Sequence, residues 1–156
     1  MDIAEIYDYI LFKINEDLTP YGFKRSGKSA LFYRYSSDKK VGCAIAMQKS
    51  MFNSPESYSF TFNLGCVALH DLSDYYNEKL TLAVIKQAIN NYFIGGMRLG
   101  HLCRGHDYWW EIDDEILQNI TLEEYYSTFL HPDIIKGADI LDEQMRKKER
   151  VYNKSE

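Results

Sequence analysis

The residue types that could bind a metal ion cluster in one stretch of the chain, RLGHLCRGHDYWWEI at residues 98–112. Within this stretch, His101, Cys103 and His106 fall inside six positions. Zinc takes about four nitrogen, sulfur or oxygen ligands at roughly 2.0–2.3 Å. If residues 97–104 form a strand, as we predict, His101 and Cys103 point to the same side and His106 follows the next turn. Three potential ligands could then meet.

A zinc site would need a fourth ligand, which Asp107 or Glu111 would have to supply. The spacing matches no established zinc pattern, and the sequence has no C-x-x-C pair. The alternative is a strand whose histidine and cysteine pack against a neighbour, because a free cysteine behaves as a small hydrophobic residue. We therefore expect no metal site and no cofactor, and we expect Cys43 and Cys66 to be core residues.

Other patterns that indicate catalysis are missing from the sequence. It contains no G-x-S-x-G, no phosphate-binding glycine loop and no H-E-x-x-H. The segment GKSA at 27–30 lacks the upstream glycine of a phosphate loop and is typical of a turn. The carboxylates at 113–115 and 123–124 are typical of helix starts, where the helix dipole favours acids. No catalytic residue is identified, and the sequence leaves open whether the chain is an enzyme.

The composition disfavours several classes of partner. The chain has 156 residues and a net charge of −5, whereas nucleic acids and anionic membranes both attract positive charge. The first ten residues carry acids where a signal peptide needs basic residues, and no apolar run approaches the roughly 20 residues of a membrane span. The chain has three cysteines, an odd and small number, so we do not expect a framework of disulfide bonds. We expect a cytoplasmic protein that binds no membrane and has little affinity for nucleic acid.

Hydrophobic periodicity predicts an α+β fold. The predicted elements begin with a helix at 3–18, a hairpin of strands 23–25 and 30–35, and strands at 41–50 and 58–68. A helix from about Asn77 to Phe93 and a strand pair at 97–104 and 108–112 follow. The chain ends with a short helix that has a Thr121/Glu124 capping box and stops at His131, a last helix from Pro132 to about Met145, and a fraying polar tail at 146–156. We predict one domain, residues 1–156, with a core from about residue 3 to 145. Its antiparallel sheet has about five or six strands, with an N-terminal helix and further helices packed mainly on one face.

Small and polar residues share one face of two neighbouring predicted strands. They are Gly42, Ala44, Ala46, Gln48 and Ser50 on one strand and Ser59, Thr61, Asn63 and Gly65 on the other. Short side chains leave room above the sheet, and a hollow with a few placed polar groups and aromatic walls is the usual form of a ligand site. The candidate ligand-binding residues are Arg25, Arg34, Gln48, Asn63, Arg98, Trp109 and Trp110. An arginine beside a tryptophan suits an anionic or planar ligand.

Two structural alternatives compete with a ligand site on this face. A helix could cover the small residues, and the arginines could pair with the many acids. Charge is unevenly spread, because residues 107–143 carry eleven acids against Lys136 alone, whereas residues 24–40 are basic apart from Asp38. An acidic region of this kind could face a basic protein partner, although acidic surfaces are also common for solubility.

Five short motifs resemble a known family. They are GFKRSGKSALFYR at 22–34, IAMQKS at 45–50, SFTFNLG at 59–65, RLGHL at 98–102 and DYWWEI at 107–112. In this order and spacing they resemble the bacterial family known as domain of unknown function 4304, over roughly residues 5 to 112. The resemblance implies a small cytoplasmic α+β domain without an established activity, so it transfers no catalytic residue. The motif positions that it marks are Gly22, Phe23, Arg25, Arg34, Gln48, Lys49, Asn63, Gly65, Arg98, Gly100, Trp109 and Trp110.

Two functions from different classes follow from these observations. The first is a non-enzymatic binding module for a protein partner, of the kind in which an immunity protein caps a toxin. The second is a small-molecule-binding protein, or an enzyme not recognisable from its motifs, that uses the polar face lined by arginine, asparagine and tryptophan. The sequence specifies neither the partner nor the ligand.

Overall fold

The structure, a computed structural model, describes residues 2–72, 79–91 and 95–154. Its strands are β1 (Lys24–Arg25), β2 (Leu31–Tyr35), β3 (Val41–Lys49), β4 (Ser57–Ala68), β5 (Gly96–Arg98) and β6 (Trp110–Asp113). Its α-helices are α1 (Ile3–Leu18), α2 (Leu82–Ile89), α3 (Leu99–Arg104), α4 (Asp114–Asn119), α5 (Leu122–Tyr125) and α6 (His131–Lys154), with a π-helical turn at Tyr126–Leu130 between the last two. None of the described helices has the length and apolarity that a membrane crossing requires.

All strands pair antiparallel, in the order β1-β2-β3-β4-β5, and β6 also pairs with β4. Because β3 occupies one edge of β4 over nearly its whole length, β5 and β6 share the other edge. There β5 pairs with residues 63–65 and β6 with residues 57–60. The predicted α+β fold with an antiparallel sheet and an N-terminal helix is confirmed.

One face of the sheet is the main core. Along β4 the alternate residues Tyr58, Phe60, Phe62 and Leu64 are buried, and they belong to one cluster with residues of α1 and α6. The rings contact one another edge-on, since the centroid of Phe62 lies 5.8 Å from that of Phe60 and 5.4 Å from that of Trp110. Burial of such rings stabilises a core through contact area and edge-to-face geometry.

Helix α2 covers part of the opposite face. Its residues Ile85 and Ile89 pack in a second cluster with Ala44 of β3 and with neighbouring residues of β2 and β4. The close approach needs a glycine at position 65, because a Cβ there would lie 2.7 Å from the carbonyl oxygen of Gly95 and 3.3 Å from a methyl group of Ile89. The helix ends at Ile89, and no other described helix covers the part of the face around Gln48 and Asn63.

The prediction of a strand at 97–104 is wrong beyond Arg98. Strand β5 ends there and helix α3 follows, so the expected strand pair is replaced by two separate pairings with β4. The helix forms because Leu99, Leu102 and Cys103 have helical spacing and all pack on the main core. Gly100 lets the helix approach the backbone of Tyr108.

The predicted helix boundaries near the C-terminus also need correction. The Thr121 side chain does accept from the backbone N–H of Glu124, as predicted, but the helix does not stop at His131. The π-helical turn lies just before Pro132, which has no N–H to donate to the helix. Helix α6 follows the turn without a break. The other predicted helix is described at 82–89, whereas its expected ends, Asn77 and Phe93, lie outside the described residues.

Residues 146–154 form the end of α6 and are not a fraying tail. Ion pairs join Arg146 to Asp142 at 2.9 Å and Lys147 to Glu143 at 3.0 Å, each four residues apart on the helix. Pairs at this spacing stabilise a helix by a few tenths of a kcal/mol each. Lys148 also forms an ion pair with Asp71, at 2.6 Å, which connects the end of α6 to the segment that follows β4. Residues 155–156 lie outside the described part.

We expect Gly100→Ala to lower the free energy of unfolding by about 1–3 kcal/mol. The added Cβ would lie 2.5 Å from the backbone nitrogen of Tyr108, which cannot move without shifting its loop. The matched control is Gly137→Ala in α6, whose Cβ would meet only the movable end of Leu99 closely, at 2.9 Å. Urea unfolding of both variants provides the comparison. A Gly100→Ala protein as stable as Gly137→Ala would contradict the close approach.

Candidate functional site

The open part of the second face is a hollow of about 530 Å³. Its lining includes three of the predicted candidates, Gln48, Asn63 and Arg98, together with Lys86 and Asn90 from the C-terminal half of α2. The candidates come together because β3, β4 and β5 are neighbours, and Asn63 pairs with Arg98 in the register of β4 and β5. A hollow of this size is in the range of small-molecule sites.

Two side-chain amides form part of the lining of this hollow. The Asn63 Nδ2 donates to Gln48 Oε1 at 2.8 Å, across the diagonal that the register of Gln48 with Thr61 creates. Within the described chain, Gln48 Nε2 and Asn63 Oδ1 have no further hydrogen-bond partner. The amide nitrogen of Gln48 and the amide oxygen of Asn63 are therefore available to a ligand.

Arg98 provides the cationic end of the hollow. Its side chain is only 18% exposed, and its Nη1 lies 3.7 Å from Asp107 Oδ1, which is too long for a hydrogen bond. That Nη1 is buried without a hydrogen-bond partner among the described residues. The guanidinium carbon lies 5.5 Å from the centre of the Trp109 ring, a cation–π contact.

Trp109 is fixed by the loop that precedes β6. Its Nε1 donates to Asp107 Oδ2 at 3.3 Å, so one carboxylate both holds the indole and faces Arg98. The backbone carbonyl of Asp107 also contacts His106 Nδ1 at 2.7 Å. Upstream, Thr61 donates to the carbonyl of Tyr108 at 2.8 Å, which ties the loop to β4. Trp109 therefore stands as a wall whose position depends on β4.

An apolar hollow of about 490 Å³ adjoins the first one. Gln48 lines both hollows, and the rest of the second lining consists of Lys49, Ser50, Met51, Phe52, Ser59 and Trp109. Met51 is 86% and Phe52 85% exposed, in the turn between β3 and β4. The open face thus has a cationic end at Arg98, and at this turn it combines exposed apolar side chains with Lys49 and two serines.

Three predicted candidates lie elsewhere, so their placement on the polar face is wrong. Arg34 pairs with Cys43 in the sheet register and faces the main core side, where its Nη1 binds Asp142 at 2.7 Å. Arg25 donates to the carbonyls of Ser29 and Lys28 at 2.7 and 2.8 Å and closes the β1–β2 hairpin. Trp110 pairs with Phe60, is buried, and donates to the carbonyl of Phe129 at 3.1 Å.

The His/Cys stretch does not assemble into a metal-ligand set. His101 and Cys103 lie on helix α3 rather than on a strand, and His101 is exposed. Over the ranges that the structure describes, no three histidine, cysteine, aspartate or glutamate side chains are close enough to hold a metal ion. Arg104 of the same stretch instead forms a two-point ion pair with Asp133, at 3.2 and 2.7 Å.

The sequence analysis missed the contribution of helix α2. Lys86 and Asn90 each follow a buried isoleucine of the helix, Ile85 and Ile89. Residues next to the buried stripe of an amphipathic helix lie at the edge of its contact with the sheet. That periodicity was visible in the sequence, but the position of the helix over the polar face was not.

Together, the fold and this face define a small α+β protein whose antiparallel sheet is covered on one side and half open on the other. Residues 14–132 match the model of the family described as domain of unknown function (DUF4304). The chain belongs to this family, which confirms the resemblance carried by the five motifs. No curated protein and no solved structure matches the chain.

We expect Cys103 to react slowly with iodoacetamide. Burial, the charge of Asp133 and a hydrogen bond to Asp133 raise the pKa of Cys103 to about 11, and only the thiolate reacts. Because the pKa is raised, the labelling rate at Cys103 should climb about tenfold per pH unit from pH 7 to 9.5 without a plateau. Site-resolved mass spectrometry measures it, with the urea-unfolded chain as control. A plateau near pH 9 in the folded protein would contradict the assignment.

Proposed function

We propose that this protein is a non-enzymatic binding module and that the open part of its second sheet face binds a small anionic molecule with a planar or apolar body. The Arg98 guanidinium carries the proposal, because it is mostly buried and forms no hydrogen bond within the described residues. The amides of Gln48 and Asn63 and this guanidinium can orient a ligand. Amide and guanidinium groups are hydrogen-bonding groups rather than the usual general acids and bases of enzymes, which favours binding over acid–base catalysis.

The unmet donors of Arg98 favour an anion. A guanidinium has five N–H donors in a plane, and carboxylates and phosphates accept two of them at once. A buried donor without an acceptor costs about 1–3 kcal/mol, which a ligand oxygen would recover. Lys86 lines the same hollow and adds a second positive charge, whereas Asp107, 3.7 Å from Arg98, opposes it.

The apolar end favours a ligand with a flat or aliphatic body. Trp109 lies beside Arg98 and also lines the apolar hollow, where Phe52 and Met51 are further walls. An aromatic wall next to a cation suits a ring that carries a negative group, because the ring stacks while the anion pairs. A free inorganic anion would use only the cationic end.

We expect Arg98→Ala to weaken binding of an aromatic anion at least about tenfold and Asn63→Ala to weaken it less. Asp107→Asn should strengthen binding about two- to fivefold, because it removes the competing charge but keeps an oxygen for the Trp109 indole. The measurement is a thermal-shift screen followed by calorimetry, with phosphate, citrate, indole-3-acetate and adenosine monophosphate as probes.

The matched control for Arg98 is Arg150→Ala, at an exposed position on α6. It removes the same charge and should leave both the affinity and the melting temperature unchanged. No stabilisation by any aromatic anion would defeat the proposal. So would an affinity that is the same in Arg98→Ala and Arg150→Ala.

A protein partner is the second candidate, and two side chains favour it. Met51 and Phe52 are adjacent, large, apolar and more than four-fifths exposed, and contiguous exposed apolar surface is typical of protein contacts. In this version the module caps a partner as an immunity protein does. The exposed carboxylates of Glu111 and Glu115 would then favour a basic partner surface.

For this second candidate, we expect the protein to co-purify from its native host with a basic partner at one-to-one stoichiometry. Phe52→Ser should remove the partner without a change in melting temperature, since the ring is already in solvent. Phe12→Ser is the matched control, at a ring that is 57% exposed on α1. Retention of the partner by Phe52→Ser, or recovery of no stoichiometric partner, would count against this candidate.

A further inference from the structure

A third depression, which shares Trp109 with the second hollow, has the opposite charge character. It encloses about 600 Å³ and is lined by four aromatic side chains and two glutamates among its nine residues. These six, which we call the aromatic groove, are Tyr108, Trp109, Tyr125, Phe129, Glu111 and Glu115. Among the described residues, its lining contains no arginine or lysine, although the guanidinium carbon of Arg104 lies 4.7 Å from the centre of the Tyr108 ring.

The π-helical turn places two of the rings. Tyr125 ends α5 and Phe129 lies within the turn, and their ring centroids are 5.4 Å apart with an interplanar angle of 47°. The carbonyl of Phe129 accepts from Trp110 Nε1 at 3.1 Å, which anchors the turn to β6. Phe129 is 49% exposed. The Phe129 ring is thus half exposed within a π-helical turn, a feature that is frequent at functional sites.

The two glutamates give the groove a negative rim. Glu111 is oriented by Ser57, whose hydroxyl donates to its carboxylate at 3.0 Å. Neither Glu111 nor Glu115 forms an ion pair within the ranges that the structure describes. Burial raises the pKa of Tyr125, and Tyr108 and Glu111 raise it further, so the hydroxyl remains protonated and the ring neutral.

We propose that the aromatic groove binds a small organic cation of the quaternary ammonium class. Ring faces attract a cation through their quadrupole, and the attraction is strongest for cations that give up little hydration. A quaternary ammonium has no N–H to satisfy, so the half-exposed ring of Phe129 and the indole of Trp109 can contact it while the glutamates neutralise its charge at longer range. A primary ammonium or a guanidinium would need direct contacts with carboxylates. The lining has four aromatic residues and two carboxylates, and this excess of aromatic residues favours the alkylated cation.

This site is independent of the anion hollow, although Trp109 borders both. The cationic group of one ligand and the anionic group of the other would lie on different sides of the indole. Failure of the anion proposal would therefore leave the cation proposal standing, and the reverse also holds. Arg98→Ala separates them, because it should weaken anion binding at least about tenfold, whereas loss of a positive charge 5.5 Å from the Trp109 ring should not weaken cation binding.

The test is a titration of the full chain with choline, followed by tryptophan fluorescence and by NMR. The key comparison is 3,3-dimethylbutan-1-ol, which has the shape of choline without its charge. We expect saturable binding of choline and at least about fivefold weaker binding of the alcohol. N-acetylarginine amide is the third probe, and it should bind more weakly than choline.

Two variants and two matched controls complete the experiment. Glu115→Gln and Phe129→Ala should each weaken choline binding at least about fivefold. Glu5→Gln and Phe12→Ala, at exposed positions of α1 outside the groove, should not change it. Thermal unfolding of all four variants checks that the fold is retained, as expected for exposed side chains.

Four results would overturn the proposal. They are the absence of saturable choline binding, equal binding of the uncharged alcohol, tighter binding of the arginine amide, and unchanged affinity in both groove variants. Equal binding of the alcohol would identify an apolar site. Tighter binding of the arginine derivative would identify a basic peptide as the occupant instead.

Discussion

The register between β3 and β4 is the constraint on which the rest of the structure depends. Ala46 lies opposite Asn63, and Gln48 lies opposite Thr61. Because side chains alternate along a strand, a slip of one residue would turn Phe60, Phe62 and Leu64 to the open side and the polar residues into the core. Burial of those three side chains against α1 and α6 therefore fixes where every group of the hollow must point.

The two faces of the sheet differ in how far they are covered, because the helices that pack on them differ in length. The main core is covered by helices of 16 and 24 residues, whereas α2, the α-helix that the structure describes on the second face, has eight residues. An eight-residue helix is about 12 Å long, shorter than the twelve-residue strand β4 below it, which extends roughly 40 Å. One structural alternative from the sequence, a covering helix, is thus correct for Ala44 and Gly65 and incorrect for Gln48 and Asn63. The hollow lies where the helix ends.

Alternation along β3 and along β4 was enough to predict that Gln48 and Asn63 share a face, but it did not predict the position of side chains on other strands. Arg34 and Trp110 lie on strands whose register depends on turn geometry, and each faces the core side. Helix α3 was missed because six residues give too little periodicity to compete with a strand pattern. The Asp113 cap of α4 was visible as a cluster of acids at a helix start. For Arg34, Trp110 and α3, the sequence did not show which strand or helix lies next to the residue in the folded protein, and this neighbour determines its position.

The acidic stretch from 107 to 143 is not one charged surface. Asp133 binds Arg104, Asp142 binds Arg34 and Arg146, and Asp139 accepts from Tyr21. These carboxylates hold α6 to other elements, and their charges are largely compensated inside the molecule. The acids that stay without a cation in the described chain include Glu111 and Glu115, beside the exposed rings of the aromatic groove. Among the described residues, negative charge without a cationic partner therefore coincides with aromatic surface at Glu111 and Glu115, whereas the positive charge of Arg98 is partly offset by Asp107 at 3.7 Å.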